Sequence, residues 1–157
     1  MLEVCILLGG LVLDRLTKWL AITQLQVLPG GELELWPGVF HFQYVENRGV
    51  AFGLFPNSAW IFAAVSLLVA AAIAFLLIQK HDRFPLWVRG AMAAVLAGAL
   101  GNAIDRIFQG HVTDFLYFKL INFAVFNVAD SLVVVGLILI AVYFVFVDRE
   151  LVGGGKQ

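Results

Sequence analysis

Charge is what this chain has least of: 13% of its 157 residues are Asp, Glu, Lys or Arg, against 62% hydrophobic, and the formal net charge is −1. A soluble domain carries about twice that charged share, so a water-facing globule is excluded and an integral membrane protein is expected. A near-zero net charge also argues against nucleic acid as a partner. The single cysteine, Cys5, excludes an internal disulfide, and its surroundings read as a small apolar position in a span. No H-E-x-x-H pair or cysteine cluster offers a zinc site, no serine sits in an elbow motif, and no Gly-x-x-x-x-Gly-Lys cradles a phosphate. Neither a metal nor a cofactor is expected.

What the chain has in quantity is long apolar runs. A spanning helix needs about 20 apolar residues, and four segments supply them: 4–25, interrupted by Asp14, Arg15 and Lys18, then 58–78, 86–107 and 124–147. The first reads as a signal anchor rather than a cleaved leader, because it has no basic start and no A-x-A-like exit. The expected fold is an all-α polytopic membrane protein in one domain, 1–157, with four transmembrane helices. Lys80, Arg83 and Arg89 lie around the second connection, and Arg149 and Lys156 follow the last span. By the positive-inside rule both termini are cytoplasmic. Arg48, Arg106 and Lys119 occupy the other side.

Between the first two spans the period changes. Residues 32–36 and 40–44 alternate with period two and are separated by Pro37-Gly38, which predicts a small extracytoplasmic antiparallel β-sheet. Trp36, Phe40, Phe42 and Tyr44 suit the headgroup layer. Such a sheet is either a plain folded loop or a cradle that docks a substrate at the membrane surface. Glycines flank Ala51-Phe52, so the stretch from Asn47 to Gly53 reads as a plain loop or as a flap; cradle and loop together cover 26–57.

Two polar clusters end the greasy segments. In the third span Gly90, Ala94, Gly98, Asn102 and Arg106 form one ridge, and Ala93, Ala97, Gly101 and Asp105 a second. Small residues allow close helix contact, and at the outer end both ridges turn polar. Asn102, Asp105 and Arg106 share a face, and Asn127, Asp130 and Ser131 repeat that spacing. Asp114 and Asp130 are the candidate acid–base pair, since two carboxylates in one site hold one proton between them. Spacing alone leaves catalysis, helix capping and ion handling open. Asp14 and Lys18 form an i, i+4 pair of structural character, and Arg106 reads as a group that neutralises and orients carboxylates.

Taken together, Asp14-Arg15-Leu16-Thr17-Lys18, Asn47-Arg48-Gly49-Val50-Ala51-Phe52, Gly101-Asn102-Ala103-Ile104-Asp105-Arg106, Val112-Thr113-Asp114-Phe115 and Phe126-Asn127-Val128-Ala129-Asp130-Ser131 resemble, in this order, the bacterial lipoprotein signal peptidase (signal peptidase II) family. The resemblance covers nearly the whole chain. It implies an aspartic endopeptidase of the bacterial inner membrane, with its site near the outer face. Such an enzyme removes the signal peptide from prolipoproteins before a diacylglyceryl-bearing cysteine. Asp114 and Asp130 match the catalytic dyad. Asn47, Asn102, Arg106 and Asn127 match groups that position dyad and peptide, and Asp14, Lys18 and Asp105 a supporting shell. It further implies a lid around Gly49 and Phe52, membrane lipids as neighbours, inhibition by cyclic peptides such as globomycin, and a monomer. The competing readings are a small transporter or proton conductor using Asp14, Asp105, Asp114 and Asp130 as a relay, and a scaffold without activity.

Overall fold

The computed structural model describes residues 1–49 and 59–147. Helix α1 (Leu2–Leu20) widens into a π-type turn at Ala21–Leu25 and leads to strands β1 (Glu32–Trp36) and β2 (Phe40–Asn47). Helices α2 (Ala59–Gln79) and α3 (Leu86–Gln109) follow, then strand β3 (Val112–Tyr117) and helix α4 (Val128–Val142), which a second π-type turn extends to Val147. Phe52 and most of the expected lid fall outside the described residues.

Helix α3 is the hub, packing against α1, α2 and α4. Its glycines explain why it can be. A Cβ on Gly98 would lie 2.2 Å from the Ala129 carbonyl oxygen, and one on Gly101 would lie 2.7 Å from Asp14 Oδ2. On α4 Gly136 does the same toward Ala91. Backbone-to-backbone approach of this kind is how helices associate where lipid removes the hydrophobic drive. An apolar cluster of Ile73, Phe84, Val88, Met92, Val95 and Tyr143 packs the start of α3 against the end of α4, away from Asp114 and Asp130.

Among the described residues three helices, Ala59–Gln79, Leu86–Gln109 and Val128–Val147, are long and apolar enough to cross a membrane. Helix α1 has 19 residues, but Glu3, Asp14, Arg15 and Lys18 interrupt its apolar run. The last span starts later than expected: residues 123–125 are not helical, Phe126 bridges to Leu116, and Asn127 caps α4.

The sheet is antiparallel with order β1-β2-β3. It is larger than a hairpin between the first two spans, because its third strand comes from the connection between α3 and α4. Gly110, at φ 73°, ends α3 in a left-handed cap, and the chain then pairs Val112 with Asn47 and Asp114 with Val45. A bulge between Phe42 and Val45 bends this edge. Beneath the sheet Ala21, Leu25 and Phe115 form a second buried cluster.

Candidate active site

Strand alternation sends Phe115 toward the turn after α1 and Asp114 to the other face. Asp114, 2% exposed, accepts from Asn127 Nδ2 at 2.6 Å and from Asn47 Nδ2 at 2.9 Å. Asn47 is the last residue of β2, and the Gly49 N–H donates to its Oδ1 at 3.2 Å, which leaves its NH2 for Asp114. Burial first, and then the charge of Asp130, push Asp114 up to about 7, against the pull of the Asn47 and Asn127 amides.

Asp130 is the third residue of α4, and the capping and catalytic readings meet there. Asn127 Oδ1 accepts from the Asp130 N–H at 2.9 Å, and the Asn127 N–H donates to Asp130 Oδ2 at 3.1 Å, a reciprocal capping box. The second carboxylate oxygen is left free of the cap and accepts from Asn102 Nδ2 at 2.7 Å. Asn127 therefore touches both candidate carboxylates, and Asn102 ties one of them to α3.

Behind this pair lies a buried ionic layer. Lys18 Nζ is 2.9 Å from Asp14, 2.7 Å from Asp105 Oδ2 and 2.9 Å from Asn102 Oδ1. Asp14 Oδ1 also accepts from the Ala129 N–H at 3.2 Å, fastening the start of α4 to α1. Arg15, which is not among the candidate residues the sequence suggests, belongs to the same layer. It is ion-paired with Asp105 and donates to the Gly101 carbonyl at 3.3 Å. Its spacing of three from Lys18 was the available signal. Arg106 donates to the Asn102 carbonyl at 3.2 Å, lies over the Phe62 ring at 5.8 Å, and faces the charges of Asp130, Asp114 and Asp105. Apart from Phe52, every candidate site residue named from the sequence is part of this one connected cluster or, like Gly49, hydrogen-bonded to it.

Among the described residues one group could hold a metal by composition: Glu32, Glu34 and His41, with ligand atoms within 4.8 Å of one another. Its chemistry argues otherwise. His41 Nε2 accepts from the Gly38 N–H at 3.1 Å and Nδ1 donates to Glu32, so neither ring nitrogen has a lone pair to give. His41 and then Lys119 hold Glu32 below the usual carboxylate range. His41, bonded to Glu32 and to the Gly38 N–H, staples the β1–β2 turn.

Two buried carboxylates joined through one asparagine, with cations behind them, can handle protons on a bound amide. The family described as Signal peptidase (SPase) II matches the chain over residues 6–146. The chain belongs to the signal peptidase II family. Among its relatives, the lipoprotein signal peptidase of Symbiobacterium thermophilum is 43% identical over 152 residues, covering 96% of this chain and 98% of the other. That of Clostridium novyi is 38% identical over 145 residues, covering 90% and 96%. Two solved bacterial membrane enzymes share the fold. One, determined by the in meso method at 2.3 Å, has a TM-score of 0.81 and 25% identity over 99% of this chain and 92% of its own. The other, at 1.9 Å, has a TM-score of 0.80 and 28% identity over 92% and 93%. As a signal peptidase II the chain is a membrane aspartic peptidase, and neither a transporter nor an inert scaffold finds support.

Proposed function

We propose that Asp114 and Asp130 are the catalytic dyad with which this signal peptidase II cleaves lipoprotein signal peptides, cutting before a diacylglyceryl-bearing cysteine. The observation that carries the reading is Asn127, whose side chain and backbone together contact both carboxylates. The charge balance supports it. Three cations, Arg15, Lys18 and Arg106, face four carboxylates, Asp14, Asp105, Asp114 and Asp130. One proton on the dyad makes the cluster neutral, as burial favours. Asp114, pushed up to about 7, is the group that carries it.

The reaction follows from that protonation state. Ionised Asp130 takes a proton from a water molecule as the water oxygen attacks the scissile carbonyl carbon, while Asp114 gives its proton to the carbonyl oxygen. Collapse of the tetrahedral diol breaks the C–N bond. Asp130 passes its proton to the leaving nitrogen, and a hydroxyl proton returns to Asp114, restoring the dyad. Asn47, Asn102 and Asn127 hold the two carboxylates through N–H donors. Arg106 offsets the negative charge and leaves guanidinium N–H groups for the peptide backbone. Asp14, Lys18 and Asp105 support Asn102 and the start of α4. This chemistry uses no cofactor.

Four membrane crossings, with α1 as the first, fit this reading, because the charges on α1 turn to α3 and find partners there. Lys80, Arg83 and Arg89 favour a cytoplasmic α2–α3 connection. Both termini are then cytoplasmic, and the dyad opens near the outer face of a bacterial inner membrane. The chain acts as one membrane-embedded peptidase domain, monomeric among lipids, and open to blockade by cyclic peptides such as globomycin. The test is reconstitution in nanodiscs with a prolipoprotein, lipidated or not, and mass spectrometry of the product. The expected product begins at the lipidated cysteine. Equal cleavage of the unlipidated precursor, or cleavage at another bond, contradicts the reading.

A further inference from the structure

Lys18 is 3% exposed, and its ammonium is enclosed by oxygens of two helices. Asp14 and Asp105 answer its charge. The contact with Asn102 Oδ1, at 2.9 Å, does something different. A carboxamide has an accepting end and a donating end, and turning it over exchanges them. An ammonium offers only hydrogens, so the end of Asn102 that faces Lys18 is its oxygen. The Asn127 NH2 reaches the same oxygen, but at 3.2 Å, and it is engaged more closely with Asp114 at 2.6 Å. With its oxygen held, Asn102 presents its NH2 to Asp130 at 2.7 Å. Turned over, it would set a carbonyl oxygen against the carboxylate.

The geometry points to Lys18 as a positioning residue for the cleavage reaction: from α1 it fixes the orientation of Asn102, and through Asn102 it delivers the N–H donor that steadies Asp130. This rests on the dyad reading above. The Lys18 ammonium contacts Asp14, Asp105 and Asn102 rather than the dyad, so its influence passes through the amide and through its field. The charged and titratable groups around it are Asp14 and Arg15 on its own helix, Asp105 and Arg106 on α3, Asp130 on α4 and Asp114 on β3.

Two variants of the full chain in nanodiscs, assayed on a lipidated prolipoprotein across pH, separate this role from simple pairing with Asp14. Lys18→Met is expected to lower kcat roughly 10- to 100-fold, the loss typical when a group supporting a reacting side chain is removed, with little change in KM. Its pH–rate profile should move to higher pH, because a cation near the dyad is gone. Asp14→Asn/Lys18→Met removes one charge of each sign and keeps an acceptor for the Ala129 N–H. Its profile should return to the wild-type position while kcat stays low. If Lys18→Met fails to insert, the neutral double variant carries the test alone. Wild-type kcat in the double variant would make Lys18 merely the counter-ion of Asp14 and overturn the inference, as would a loss confined to KM. A wild-type profile flat in pH overturns the dyad reading and this inference together. A wild-type bell with an unaltered double variant overturns this inference alone.

Discussion

The upward push on Asp114 comes from where the chain puts it: on a strand, under cover, in the field of a second carboxylate. Two asparagine amides oppose that push, and Asn47 is the more separable of them, because Asn127 also caps α4. An N–H donated to a carboxylate favours the charged form, so losing it moves the group further upward. Asn47→Ala is therefore expected to shift to higher pH the limb on which the dyad loses its shared proton, read from kcat/KM against pH. An unmoved limb would mean that the 2.9 Å contact does not reach the chemistry. At this scale the sequence was informative where residues recur in spaced polar clusters, as with Asn102, Asp105, Asn127 and Asp130. It marked Arg15 only by its spacing of three from Lys18, because its partners Asp105 and Gly101 are about ninety positions away and meet it only once α1 packs on α3. Nor could spacing choose between capping and catalysis for Asp130, since one carboxylate oxygen joins the cap and the other meets Asn102.

Elements bring these residues to one place, and the contact of α3 with α4 is the tightest joint. Gly98→Ala would drive a methyl group into the Ala129 carbonyl and Val133. Overpacking of this kind costs about 1–3 kcal/mol, and the helix that moves carries Asp130. The expected result is a lower Tm in detergent together with lost cleavage. Gly9→Ala, with nothing within 4 Å of the added carbon, should leave both unchanged. The β1–β2 hairpin was legible from period-two alternation, and the small-residue ridges of α3 from their repeat. Strand β3 was not legible, because a six-residue strand bounded by Gly110 and an aromatic loop looks like the frayed end of a span. Its pairing with β2 is a long-range event, and it is this pairing that sets Asp114 beside Asn47. The late start of α4 has the same character: Asn127 stops the apolar run from being helical four residues earlier than hydropathy alone suggests.

As a whole the molecule is a bundle with its buried polar residues gathered toward the sheet and an apolar cluster nearer the opposite end. That asymmetry fits a peptidase whose substrate arrives within the membrane plane and meets water on one side only. The proposed topology is open to labelling in a Cys5→Ala background. A cysteine at Leu120, 70% exposed in the loop after β3, should react with an impermeant maleimide added to intact cells. A cysteine at Asp82, between α2 and α3, should react only after permeabilisation. Reaction in the reverse pattern would invert the orientation and remove the dyad from the outer face. The central claim, that Asp114 and Asp130 act as one acid–base pair, is tested most directly by single-turnover cleavage of a lipidated prolipoprotein by Asp114→Asn and Asp130→Asn, each shown to be folded and inserted. The account predicts that both variants fall to background, because every turnover needs one group to accept a proton and the other to donate it. Near-wild-type cleavage by either variant would contradict it.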